Sequence, residues 1–137
     1  MAKGNSIPRG LRNNNPLNIR IGNVWLGEVQ NPSDPQFEQF ISMKYGLRAA
    51  FVLLRRYIRH YKRQTIPDII AAWAPSSENN TAKYVEVVVG LTDIPPTQIL
   101  QYEDKETMCK LVAAMVIVEN GRRLQDESVI SLAYDLA

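Results

Sequence analysis

The chain has 137 residues, 45% hydrophobic and 22% charged, a balance that fits one soluble domain, 1-137, able to bury a core and excludes a low-complexity or disordered protein. The net charge of +2 is small but uneven: seven Lys or Arg lie between Lys44 and Arg63, and no acid lies between Glu38 and Asp68. No apolar run reaches the roughly 20 residues that span a bilayer, the start MAKGNSIPRG has no apolar signal core, and the lone Cys109 excludes an internal disulfide.

The first forty residues read as irregular and then extended. Asn13, Asn14, Asn15 and Pro16 form a turn or cap cluster, and Gly22-Asn23 and Gly27 interrupt short apolar pieces around Ile19, Ile21, Val24, Trp25 and Val29. A small N-terminal β hairpin or sheet fits this pattern. Asn31 to Pro35 reads as a loop whose return is anchored by Phe37 and Phe40. From Tyr45 to about Lys62, the positions Leu47, Ala50, Phe51, Leu54, Ile58 and Tyr61 recur at helical spacing, with the arginines on the other side.

Thr65 is a suitable N-cap for a shorter helix through Trp73, with Pro67 tolerated in its first turn. Asn80 can cap a helix over Thr81 to Val89 that stops at Gly90, and Pro95-Pro96 can open a short helical piece. Asp104 caps the helix that carries Glu119, and Asp126 a last one through Leu136. The fold class is therefore mainly α (α+β), with a small extended region near the start.

The segment Leu111 to Gly121, LVAAMVIVENG, carries the sharpest chemical signal. Counting back from Glu119 finds Met115, Val112, Leu111 and Met108 at i−4, i−7, i−8 and i−11, which is one helix face. Gly121 is placed to close the helix, so the carboxyl falls in the last turn, near the negative end of the macrodipole. Burial and that dipole both disfavour the charged form and raise the pKa. A carboxylic acid that stays protonated can protonate a glycosidic leaving group. The blander reading of such a residue is a solvated helix end.

Three segments bear a family likeness. LVAAMVIVENG resembles the helix of lysozyme-like lytic transglycosylases that ends in Glu-Ser-Gly with the catalytic glutamate, and TAKYVEVVV, Thr81 to Val89, resembles their later Thr-x-x-Tyr-Val helix, whose tyrosine faces the active site. NNNPLNIR with Trp25-Leu26-Gly27 is similar to the strand region of flagellar-type glucosaminidases, which share that fold. The glutamate helix here follows that region instead of preceding it, and a circular permutation reconciles the order. The set Arg9-Gly10-x-Arg12-Asn13-Asn14-Asn15-Pro16, Gly46-x-Arg48-Ala49, Trp73-Ala74-Pro75, Glu78-Asn79, Thr81-x-x-Tyr84 and Glu119-Asn120-Gly121 is similar to phage and prophage virion structural proteins or lysins. Leu17, Val118 and Leu124-Gln125 depart from that pattern, where glycine, histidine and Pro-Tyr are common.

The resemblance implies a lysozyme-like domain that cleaves the glycan strand of bacterial peptidoglycan, with Glu119 as general acid and then base and Tyr84 in the cleft. Asn13, Asn14, Asn15, Trp25, Trp73, Glu78 and Asn79 are the candidates for holding sugars. Tyr84 has a second reading as core packing, the asparagines as turn caps, and Glu28 and Glu38 as exposed strand or loop residues. Glu78 is also the best second carboxylate, with Glu28 and Glu38 as alternatives. One convincing glutamate favours the lytic transglycosylase chemistry, in which the muramic acid's own hydroxyl attacks, or a substrate-assisted variant, with a muramidase-type hydrolysis left open.

No cofactor or metal is implied; with one histidine, His60, zinc centres rich in His are disfavoured, and a His60–Cys109 catalytic pair would have to come from two helical faces. The expected partners are peptidoglycan and other virion proteins. Synthesis in the bacterial cytoplasm, with delivery on the virion or by another factor, is the matching expectation. The rival classes are an inactive virion scaffold and a nucleic-acid binder using Arg48, Arg55, Arg56, Arg59, Lys62 and Arg63 of the basic helix 44-63.

Overall fold

A computed structural model describes residues 6–137, and the expectation about the N-terminal start falls largely outside them. Among the described residues there are six helices: α1 (Arg9–Arg12), α2 (Met43–Arg59), α3 (Ile66–Trp73), α4 (Thr81–Thr92), α5 (Lys105–Asn120) and α6 (Ser128–Leu136). None is long and apolar enough to cross a membrane.

Helix α5 buries Met108, Leu111, Val112, Ala114, Met115 and Val116 and touches α1, α4 and α6. Helix α2 presents Leu47, Phe51, Leu54 and Ile58 to the same core and packs along α6, where Phe51 meets the edge of Tyr134 at 5.3 Å. The caps follow the side-chain chemistry: Thr65, Asn80 and Asp104 accept from the backbone N–H groups of Asp68, Lys83 and Thr107. Asp126 accepts from Ser128 N, but the N-cap position of α6 is Glu127, so Asp126 stands one residue outside the cap that the sequence assigned to it.

Helix ends differ from the sequence expectation at α2 and α4, and one expected helical piece is absent. Helix α2 ends at Arg59, and Lys62 turns the chain in the left-handed region at φ 55°. Gly90 does not stop α4: the helix runs two residues further to Thr92 and is closed by left-handed Asp93, because an isolated glycine weakens a helix without ending it. Pro95 and Pro96 open a turn, with Gln98 N bonded to Pro95 O, and no helix follows.

The expected β hairpin or sheet does not form. Segment 17–41 makes two isolated antiparallel bridges, Arg20 with Phe37 and Glu28 with Phe40. Val24, Trp25 and Leu26 alternate as strand residues would, but Ile21 is exposed where parity with Ile19 would bury it, and only single bridges form in place of a ladder. Side-chain amides replace the missing ladder. Asn15, fully buried, donates to Ile19 O and Glu38 O and accepts from Ile19 N. Asn14 donates to Phe40 O, and Asn13 N–H groups reach Asp34.

Two glycines let this segment dock on the helices. A Cβ on Gly46 would lie 1.8 Å from Asn14 O, and one on Gly10 would lie 2.7 Å from Asn120 Oδ1 and 2.9 Å from Asn18 Oδ1. Asn120 completes the contact by donating to Pro16 O at 2.7 Å. The chain from Asn13 to Arg20 is thereby held against the C-terminal end of α5.

Candidate functional site

That junction forms a groove. One hollow of about 240 Å³ is lined by Leu17, Asn18, Arg20, Phe37, Trp73, Ala74, Glu78, Asn79 and Glu119. A neighbouring hollow of about 300 Å³ shares Asn18, Arg20, Trp73 and Glu78 with it and extends over Tyr57, Leu53 and Asn23. A third hollow, of about 520 Å³ between Ile7, Leu11, Met43 and Leu124, is lined by no acid or nucleophile.

Glu119 sits in the last turn of α5, which Gly121 closes at φ 72°. Its Oε1 accepts from Asn18 Nδ2 at 2.8 Å and its Oε2 from Tyr84 OH at 2.9 Å. Burial raises the Glu119 pKa above the ordinary glutamate value, against the two donors, which favour the carboxylate. The acid is therefore held in one orientation and biased toward its protonated form. After losing its proton, the carboxylate would still be stabilised by two hydrogen bonds. Tyr84, 6% exposed on α4, has its own pKa raised by burial and by Glu119, so its hydroxyl keeps the proton it donates.

Of the other sequence candidates, Trp73, Glu78 and Asn79 line the groove. Trp73 Nε1 donates to Leu17 O at 3.0 Å, which fixes the indole between the loop and α3. Glu78 is exposed and faces Arg20 at 3.8 Å. Asn79 donates to Pro75 O within its own loop. Asn13, Asn14 and Asn15 lie outside the groove lining, with their amides engaged in the bonds that shape segment 13–40. Trp25 is 8% exposed, belongs to the core, and lines neither hollow.

Asn18 and Arg20 escape the sequence reading although both stand inside the quoted NNNPLNIR motif. Asn18 adopts φ 53°, a conformation asparagine tolerates better than most residues, and this aims its amide at Glu119. The usable signal was a fourth asparagine between two apolar residues, Leu17 and Ile19, that both turn inward.

Glu38, an alternative second carboxylate, is 7% exposed and paired with Glu28. Burial, then the proximity and hydrogen bond of Glu28, raise its pKa to about 7. Neither acid lines the two groove hollows. Cys109 has its thiol pKa raised by burial, the opposite of an activated nucleophile, and His60 lies edge-on to Tyr61. Among the described residues no cluster of three His, Cys, Asp or Glu could hold a metal ion.

Four of the six basic residues singled out on this helix and just beyond it have partners within the fold. Arg48 donates to Leu136 O, Arg59 pairs with Glu103, and Arg55 and Arg59 stack on Tyr102 at 5.5 and 5.3 Å. Beyond its end, Arg63 donates to Asp68 O.

No known family's sequence model matches the chain. It is 43% identical over 121 residues to Protein P5 of Pseudoalteromonas phage PM2, a match that covers 85% of this chain and 74% of that relative.

Proposed function

Because the chain belongs to the family of Protein P5 of Pseudoalteromonas phage PM2, we propose that it is a virion-associated phage protein whose groove cleaves the glycan strand of bacterial peptidoglycan. The observation that carries this reading is Glu119, an acid with a raised pKa clamped at the groove by Tyr84 and Asn18. The likeness of its motifs to lysozyme-like enzymes, with a circular permutation of the chain order, supports the same reading.

In this proposal a strand lies along the two joined hollows, with the bond to be cut at Glu119. Glu119 protonates the bridging oxygen as the bond to the anomeric carbon breaks. Tyr84 and Asn18 then hold the carboxylate while it takes a proton from the attacking hydroxyl. A hydrolase with two carboxyls needs them about 5 to 9.5 Å apart. Glu78 is exposed, whereas Glu119 alone among the groove's acids is partly buried, raised in pKa and held by two donors, so we assign the chemistry to Glu119, with the muramic acid's own hydroxyl as the nucleophile.

Mass analysis of fragments released from purified peptidoglycan tests this directly. Anhydro ends support the single-glutamate route, reducing ends point to water as nucleophile, and intact strands count against cleavage. A second reading rests on kinship with a phage protein taken by itself: a virion structural protein that keeps the fold as a scaffold. Val118, where the resembling pattern often has histidine, fits that reading. Intact strands from a folded protein would favour it.

A further inference from the structure

We propose that Arg20 and Glu78 form an electrostatic latch across the groove, opened when a carboxylate borne by the glycan strand takes Glu78's place on the Arg20 guanidinium. This rests on the cleavage reading and adds a basis for substrate choice. The two side chains come from different loops, line both hollows, and face each other at 3.8 Å, each more than half exposed. At that separation the ion pair lies beyond hydrogen-bond length, so it is weak and easily exchanged.

Arg20 is also the sole cation among the residues lining the two hollows. Its guanidinium stacks over Phe37 at 4.9 Å, and its backbone is fixed by the bridge to the same residue. Arg9 stacks on that ring too, at 4.5 Å, but its Nε and Nη2 donate to the two carboxylate oxygens of Asp34 at 2.7 and 2.6 Å. One arginine is locked into the fold and the other is left with a loose partner. A flat guanidinium, steadied by an aromatic face, is suited to bidentate carboxylate recognition.

Muramic acid supplies such a carboxylate in two ways: the free lactyl group of a strand without peptides, or the acids of the peptide stem. A chitin-type oligosaccharide has none. The test uses Glu119→Gln protein, so that bound strands persist, and calorimetric binding of three probes: a chitin oligosaccharide, peptide-free strands and peptide-bearing strands. Adding Arg20→Gln is expected to weaken a carboxylate-bearing probe about tenfold and leave the chitin oligosaccharide unchanged. Whichever anionic probe loses affinity identifies the source.

Adding Glu78→Gln should act in the opposite direction and tighten the anionic probe several-fold, because it removes the competing partner. Arg20→Lys, which keeps the charge but not the fork, should fall between. Equal weakening of all three probes by Arg20→Gln, or no weakening of any, would overturn the latch while leaving cleavage intact. Failure of all three probes to bind before Arg20 is changed would overturn the latch and the cleavage reading together.

Discussion

The helical region from residue 43 onward and the segment from Asn13 to Phe40 are stabilised by different means. The helices bury mainly apolar side chains, Leu47, Phe51, Leu54, Ile69, Leu111 and Met115 among them, with their few buried polar groups at helix ends and at the groove. The segment buries Asn13, Asn15 and Glu38 and has left-handed residues at Asn14, Asn18 and Gly27. Apolar packing is tolerant of substitution, whereas a network of side-chain to backbone bonds fixes one geometry and fails when a member is lost. The difference teaches why the groove lies where it does. An irregular backbone held by amides lets Asn18 adopt φ 53° and aim its amide at Glu119, with Arg20 lining the same groove, and α5 supplies the acid.

The contrast can be broken most severely at Asn15. Replacing it with leucine keeps the volume but orphans Ile19 N, Ile19 O and Glu38 O, and should cost about 3 to 5 kcal/mol of unfolding free energy. The matching swap in the helical core, Leu54→Met, should cost less than about 1.5 kcal/mol. Similar losses at the two sites in denaturant titrations would remove the distinction.

Gly46→Ala attacks the seam between the two regions. The new methyl would press on Asn14 O, a backbone atom with little freedom to yield, and the expected loss is about 2 to 3 kcal/mol. Amide exchange should locate the damage, with protection lost over residues 13–20 before α5. Uniform loss across both regions would contradict the seam.

Glu38 sharpens the comparison through pH. Its folded pKa is raised to about 7, so its neutral form is favoured in the fold and the protein is stabilised below the unfolded value near 4.5. That contribution fades as pH rises through about 7. Glu38→Gln can still donate to Glu28 and cannot ionise, so wild type and variant should match near pH 4 and diverge by about 2 kcal/mol near pH 8, the variant being the more stable. Thermal melts at those two values check it, and parallel curves would contradict it. The smallest effect is expected at a helix cap: Asn80→Ala should cost about 1 kcal/mol through the lost bond to Lys83 N.

These two regions were also unequally legible from sequence. Helical spacing located α2 and α5, and Thr65, Asn80 and Asp104 marked three starts correctly, because both signals depend on neighbours within one or two turns. The extended reading of 17–41 failed because its geometry depends on Asn13 and Asn15 bonding to residues as far away as Asp34 and Glu38, which local periodicity does not encode. At the groove, Tyr84, which bonds to Glu119, came only from the family likeness, while the inward face that carries Glu119 was legible from helical spacing. Asn18 was not, since its role follows from one backbone angle, and Trp25 looked like a stacking surface until its burial was seen.

The claim on which the account turns is that Glu119 is the proton donor. The most direct measurement is paired: thermal midpoint and clearing of purified cell walls for wild type and Glu119→Gln. The amide keeps the shape, removes the transferable proton, and avoids any cost of a buried charge, so the midpoint should be unchanged or higher while clearing falls by about 10² to 10⁴-fold. A folded Glu119→Gln protein that clears walls as well as wild type would contradict the account.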